Sequence, residues 1–516
     1  MQCVQSFFYL KHIWLLKYFL NFALGNFPQI MEKYFNKFRT KIIGNDLKFE
    51  TPYGVKKMIY ADWIASGRLY GPVEEKISKT IGPYVGNTHS ESSETGVLMT
   101  KAYHLAHKII KEHVHASPED VIITAGSGMT TVINKLQRIL GLKICGKLSH
   151  RPCLSETERP VVFITHMEHH SNHTSWYETC SDIVLLKPGT DLLVDLDELR
   201  RELKKYKNRK VKIGSFTACS NVTGIETPYH EMAKIMHEHG GKCFVDFAAS
   251  APYVDIDMHP KDPMQKLDAI FFSPHKFLGG PGTSGVLVFD SEMYSCQAPD
   301  QPGGGTVDWT NPWGGYKYIS DIELREDGGT PGFLQAIRIA LCIDLKNKMG
   351  TKNIHTREEQ LVKLAFRELN KVKNIHILAD NVKHRLGVIS LYIDGIHYNL
   401  MVKILNDRYG IQVRGGCACA GTYGHFLLDV SYNYSKEITE QISSGDLSSK
   451  PGWVRISLHP TMKDSEVLFI AKAIKEIQAN YKEWGKDYVY SSKTNEFRHK
   501  SVKKDEESKV KKWFRL

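Results

Sequence analysis

Two charged residues close apolar runs in KCFVDFAAS (242–250) and DAIFFSPHKFLGG (268–280), namely Asp246 and Lys276. A lysine among Ser273, His275 and a glycine-rich turn can condense with an aldehyde, while an aspartate one strand away can hold the proton of a pyridinium ring. Gly126-Ser127-Gly128-Met129-Thr130 stands between VIIT (121–124) and a helical pattern, where main-chain N–H groups and the helix dipole receive a phosphate dianion. Small residues at such a turn also serve tight packing, and the segment lacks the lysine of a nucleotide P-loop. Ser273 and His275 offer further donors to the same anion.

Other groups have two readings. In MEHHSNH (167–173) one imidazole can stack on a flat ring across the sheet edge, or His166, His169, His170 and His173 can be spaced as metal ligands. The ring reading gives Asp246 and Lys276 a role, and the metal reading does not. Asn221 can bond a phenolate oxygen or cap a turn. VRGGCACAG (413–421) leaves Cys417 and Cys419 among small residues, with Arg414 favouring the reactive thiolate. Half a metal site or incidental cysteines are the alternatives, though a two-residue spacing offers at most two ligands. In WVRISLHP (453–460) Arg455 lies in a strand-like run and needs a partner, either a substrate carboxylate or a structural acid.

These residues must be positioned by elements that the patterning also supplies. Between Tyr60 and Asp290 short apolar runs alternate with helical segments, which predicts an α/β domain with a mostly parallel sheet. Ligands bind such sheets at the strand ends. After residue 335 charged helices and fewer strands, VISLYI (388–393) and IQVR (411–414) among them, predict a smaller C-terminal domain. The expected division is 1–40 extension, 41–335 large domain, 336–488 small domain and 489–516 charged disordered tail.

With 516 residues, 42% apolar and 24% charged, the chain reads as a soluble globular protein with a large core. Much of the +11 formal charge sits at one end, where residues 491–516 hold nine Lys/Arg against four Asp/Glu. Without aromatic interleaving, this reads as a solvated tail rather than a nucleic-acid arm. Ten cysteines without regular spacing suit a reducing, cytoplasmic setting. Residues 1–30 are apolar but interrupted by Lys11, His12 and Lys17, and read as an interfacial anchor, a targeting segment or, preferably, an extension upstream of Met31.

Together these features resemble the class V aminotransferase and cysteine desulfurase family. The resemblance runs from about Ile59 to Lys486 and is carried, in order, by YADWIASGRLYGPV, ITAGSGMT, MEHHSNHTSW, VDFAASAPYVDID, FFSPHKFLGGPGTSGVLVF, GGGT and VRGGCACAG. It implies the fold type I of pyridoxal phosphate enzymes, an α/β architecture with a seven-stranded, mostly parallel sheet and a smaller α+β domain. It implies pyridoxal 5′-phosphate attached to Lys276, with Asp246 at the ring nitrogen, His169 stacked on the ring, Asn221 at its hydroxyl oxygen, and Gly128, Met129, Ser273 and His275 at the phosphate. Thr306 would reach the phosphate of the neighbouring subunit in a homodimer, and Arg455, with Arg414 beside it, would take the carboxylate of a small amino-acid substrate. Cys419 matches the nucleophile that takes sulfur from cysteine as a persulfide, with release of alanine and onward transfer to an acceptor protein. Another class V reaction (aminotransferase, lyase or epimerase) and a non-catalytic scaffold or sulfur-relay role are the alternatives. Ala249 stands where the family commonly has Gln, and the RGGC start is similar to the sulfurase domain that serves the molybdenum cofactor.

Overall fold

The computed structural model describes residues 30–88, 92–143, 154–502 and 506–516. Its centre is a seven-stranded sheet built from β1 (Asp120–Ala125), β2 (Val161–Thr165), β3 (Asp182–Leu186), β4 (Lys212–Thr217), β5 (Lys242–Asp246), β6 (Ala269–Phe272) and β7 (Gly285–Asp290), in the spatial order β1-β7-β6-β5-β4-β2-β3. All neighbours pair in parallel except β7, which runs antiparallel to β1 and β6. Alternate residues enter different cores: Val161, Phe163, Cys243 and Val245 pack on one face, and Val162, Ile164 and Phe244 on the other. Burial on both faces is why these strands read as unbroken apolar runs rather than alternating ones.

Helices α2 (Glu94–His113), α3 (Met129–Ile139) and α4 (His170–Tyr177) belong to this large domain. The helix α5 (Phe333–Met349) crosses the boundary expected at 335/336 and lies against α2, with Lys346 Nζ donating to the Ala251 carbonyl at 2.8 Å. Gly350, at a φ of 77°, turns the chain into α6 (Thr351–Leu369). Beyond it, β8 (Ile375–Ile377), β9 (Val388–Ile393), β10 (Arg414–Gly416) and β11 (Trp453–Ser457) form an antiparallel sheet in the order β8-β9-β11-β10, together with helices α7 (Tyr398–Ile404), α8 (Gly421–Leu427) and α9 (Asp464–Trp484). Ile59–Tyr60 pairs in parallel with Ile411–Gln412, which ties the start of the large domain to the strand leading to the cysteines.

Two expectations about the chain ends are corrected. Among the described residues, a helix, α1 (30–39), already lies ahead of the start expected near Lys41. Its Met31, Phe35 and Phe38 are buried at helical spacing, and Arg39 donates two hydrogen bonds to the Glu466 carboxylate at 2.8 and 2.7 Å. The tail expected to be disordered from residue 489 instead forms the hairpin β12 (Tyr488–Ser491) and β13 (Glu496–His499), because Tyr488, Tyr490 and Phe497 supply an apolar side that the charge count conceals. Residues 1–29, which carry the anchor and targeting readings, lie outside the described residues, and no described helix is long and apolar enough to cross a membrane.

Candidate active site

The parallel strands deliver their C-terminal ends to one rim, where a cavity of about 370 Å³ opens. Asp246, the last residue of β5, is buried, and one of its oxygens accepts the Ala248 N–H at 2.8 Å. Burial lifts its carboxyl to about 6, against the opposing pull of that N–H and of Lys276. Lys276 sits in the short turn Pro274–Lys276 after β6. Burial lowers its amine to about 8, with the Asp246 charge acting the other way. For both groups, desolvation outweighs their mutual attraction.

At one end of the cavity the chain turns from β1 into α3. Gly128 caps α3, whose first N–H, from Met129, donates to Ser273 Oγ at 2.9 Å. A Cβ on Gly128 would come within 3.1 Å of that hydroxyl and 3.6 Å of the His275 ring, so the glycine keeps open a hollow lined by N–H and hydroxyl groups at a helix N-terminus. Burial holds His275 at about 4 and His169 at about 3, so both imidazoles are neutral at pH 7.

The four histidines expected as ring-stacking or metal groups go to separate partners. His166 Nε2 bonds the Leu192 carbonyl, and His169, which caps α4, accepts the Ser171 N–H. His170 accepts the Gly421 N–H, and His173 lies near Tyr177 and Thr422. Among the described residues no three His, Cys, Asp or Glu side chains are grouped to hold a metal.

On the facing wall, Cys417 to Ala420 make a tight turn closed by the bond from Ala420 N–H to the Cys417 carbonyl at 3.1 Å. Ala418 and Cys419 have φ values of 51° and 57°, a left-handed pair without glycine, at a cost of roughly 1–2 kcal/mol per residue. Cys419 is exposed and lines the cavity, while Cys417 does not. Asn221 donates to the Ala418 carbonyl at 2.8 Å, and its Oδ1 is buried with no hydrogen-bond partner. Arg455 is buried on β11; its Nη2 pairs with Asp62 at 2.8 Å, and its buried Nε–H has no partner. Arg414 reaches the other Asp62 oxygen at 3.1 Å.

Of the residues expected from the sequence, the cavity collects Gly128, Met129, His169, Asn221, Asp246, Ser273, His275, Lys276, Arg414, Cys419 and Arg455. Thr306 is not among them: it is buried in its own loop, where its hydroxyl donates to the Gly303 carbonyl at 2.7 Å. Ala249, at the family's Gln position, also lines the wall, as do Ile64 and Ala65. Asp62, which seats both arginines, was given no role by sequence reasoning, although it lies in the quoted YADWIASG segment.

These groups fit pyridoxal phosphate: a hollow at a helix N-terminus that a Cβ would crowd, a neutral imidazole, a buried anion and an amine facing one cavity, and a buried amide with an uncommitted oxygen.

The sequence model of the family described as aminotransferase class-V matches residues 59–469. A probable cysteine desulfurase of Halalkalibacterium halodurans is 30% identical over 373 residues, covering 70% of this chain and 84% of that protein. A second, from Staphylococcus epidermidis, is 29% identical over 378 residues, covering 71% and 84%. The apo structure of a cysteine desulfurase from Thermococcus onnurineus NA1 has the same fold, with a TM-score of 0.69 at 24% identity over 86% of this chain and 98% of that one.

Proposed function

The chain belongs to the class-V aminotransferase family of pyridoxal phosphate-dependent enzymes, and from that premise we propose that it is a cysteine desulfurase. It takes the sulfur of L-cysteine onto Cys419 as a persulfide and releases L-alanine. One observation carries the reading: an exposed thiol on a tight turn shares the cavity with Lys276 and Arg455, where a class V aminotransferase needs no cysteine.

Lys276 would hold the cofactor, with Asp246 at the ring nitrogen, His169 against the ring, Asn221 at the hydroxyl oxygen, and Gly128, Met129, Ser273 and His275 around the phosphate. When bound, pyridoxal phosphate supplies an aldehyde that condenses with amines and a protonated ring that draws electrons from the substrate α-carbon. Arg455, which lines the cavity and is held in place by Asp62, binds the substrate carboxylate, and Arg414 adds a second positive charge. The Lys276 amine, which faces the same cavity, would serve as the base that takes the α-proton and later returns it. The Cys419 thiolate attacks the substrate sulfur. The new S–S bond forms as the Cβ–S bond breaks, and that electron pair stays with the carbon skeleton, which takes up one proton at Cβ and regains one at Cα from Lys276 before it leaves as alanine.

Transfer to a sulfur-acceptor protein is supported by the exposure of Cys419. A homodimer is supported by the hairpin of Val307–Thr310 and Tyr316–Tyr318 next to Thr306, whose Trp309, Trp313 and Tyr316 stand exposed. Thr306 would then serve the partner's site.

Purified protein incubated with L-cysteine and reductant is expected to yield alanine and sulfide in equal amounts and no keto acid, and Cys419→Ser to yield neither. Keto acid formation, or full turnover by Cys419→Ser, would replace this reading with another class V reaction.

A further inference from the structure

The turn that presents Cys419 is left-handed at both central residues, and neither is a glycine. Such a turn persists only where its surroundings fix it. Three bonds from the large domain do so. Asn221 holds the Ala418 carbonyl at 2.8 Å. His170 makes the other two: its main-chain N–H donates to the Cys419 carbonyl at 2.8 Å, and its ring Nε2 accepts the N–H of Gly421, the first residue of α8, at 3.0 Å.

His169 and His170 are consecutive, the first capping α4 with an extended backbone and the second its first helical residue. The first lines the cavity; the second does not, and reaches the far shoulder of the cysteine turn. We propose that His170 is the positioning residue that holds the Cys419 turn in its left-handed form, and so sets the thiol against the cavity. This rests on the reading of Cys419 as the nucleophile. The ring acts as an acceptor: Gly421 N–H is a helix-terminal donor, and a side chain without a lone pair leaves it unbonded. With that bond gone, two of the three ties remain, and the strained turn relaxes part of the way toward right-handed φ, which shifts the thiol from its place against the substrate sulfur.

His170→Phe and His170→Leu remove the acceptor with different side-chain volumes, so misfolding of one does not decide the matter. In both, kcat for alanine formation from L-cysteine is expected to fall about 100-fold. KM should stay within about threefold, and the visible absorbance change on mixing with cysteine should keep its amplitude, because Lys276 and Arg455 are untouched. His170→Gln, whose amide oxygen accepts the same N–H, should restore most of the turnover. Wild-type kcat in the Phe and Leu variants, an equal loss in His170→Gln, or loss of the absorbance change would each overturn the proposal. Cys419→Ser run alongside separates the two readings. If it is inactive while His170→Phe is fully active, only the positioning role falls; if it is active, the thiol reading falls and the positioning role with it.

Discussion

Lys276 and Asp246 occupy a buried space in which each resists its own charge, and this sets how the lysine meets an aldehyde. Only the neutral amine attacks, and burial brings its titration down to about 8. Capture of pyridoxal phosphate by the cofactor-free protein, followed by visible absorption, should therefore quicken with pH and level off above about 8; an ordinary lysine would keep gaining to about 10.4. Asp246→Asn removes the charge that favours the ammonium form, so the midpoint should move to lower pH. An unchanged or raised midpoint would contradict this account. Asp246, Lys276, Ser273 and His275 are legible in the sequence because each closes or directly follows an apolar run. Asp62 is not, since its arginine partners lie 352 and 393 positions away, and a lone aspartate near a chain's start carries no mark of them.

Among the elements, the cysteine turn and the C-terminal hairpin differ in what they ask of the sequence. Glycine or asparagine normally fills left-handed turn positions, and VRGGCACAG puts alanine and cysteine there instead. Ala418→Gly should raise stability by about 0.5–1 kcal/mol, the relief of backbone strain less the extra freedom of the unfolded chain. Equilibrium urea unfolding would read this, and a loss of stability would argue against the strain. The glycines around the cysteines announce an irregular loop, but the bonds from Asn221 and His170 that fix it are contacts over long sequence distances that no local pattern encodes. The hairpin β12–β13 lies beyond residue 469, where the family match ends. Asn495 in its turn bonds Tyr398 of α7 at 2.5 Å, and Tyr398 packs on Gly415 and Gly452, which flank the approach to Cys417 and to Arg455. The lysines around this hairpin outweigh its few aromatic residues in composition, and for that reason it reads as tail.

At the scale of the whole molecule, the first described helix packs against the last long one. Helix α1 packs Phe35 and Phe38 into the main core, Tyr34 reaches the Lys348 carbonyl at 3.0 Å, and Arg39 clasps Glu466 on α9. Phe35→Ala should cost about 3–5 kcal/mol, as deletion of a fully buried aromatic ring does, and the midpoint of urea unfolding would measure it; a change under about 1 kcal/mol would mean that α1 is dispensable. The spacing of Met31, Phe35, Phe38 and Ile42 contains this helix, but a stretch that also holds Lys33, Lys37, Arg39 and Lys41 hides it. The alternation of strand and helix between residues 60 and 290 made the central sheet legible, because burial on both faces demands continuous apolar runs. The cavity wall takes residues from Ile64 through Arg455, and the strand before its cysteines leans on Ile59–Tyr60. During synthesis, then, the lysine and the glycine hollow emerge from the ribosome long before the wall opposite them exists. A nascent chain cannot enclose the vitamin until Arg455 has been made, so yellow colour in a translation mixture would time the docking of the last strands rather than the birth of the first.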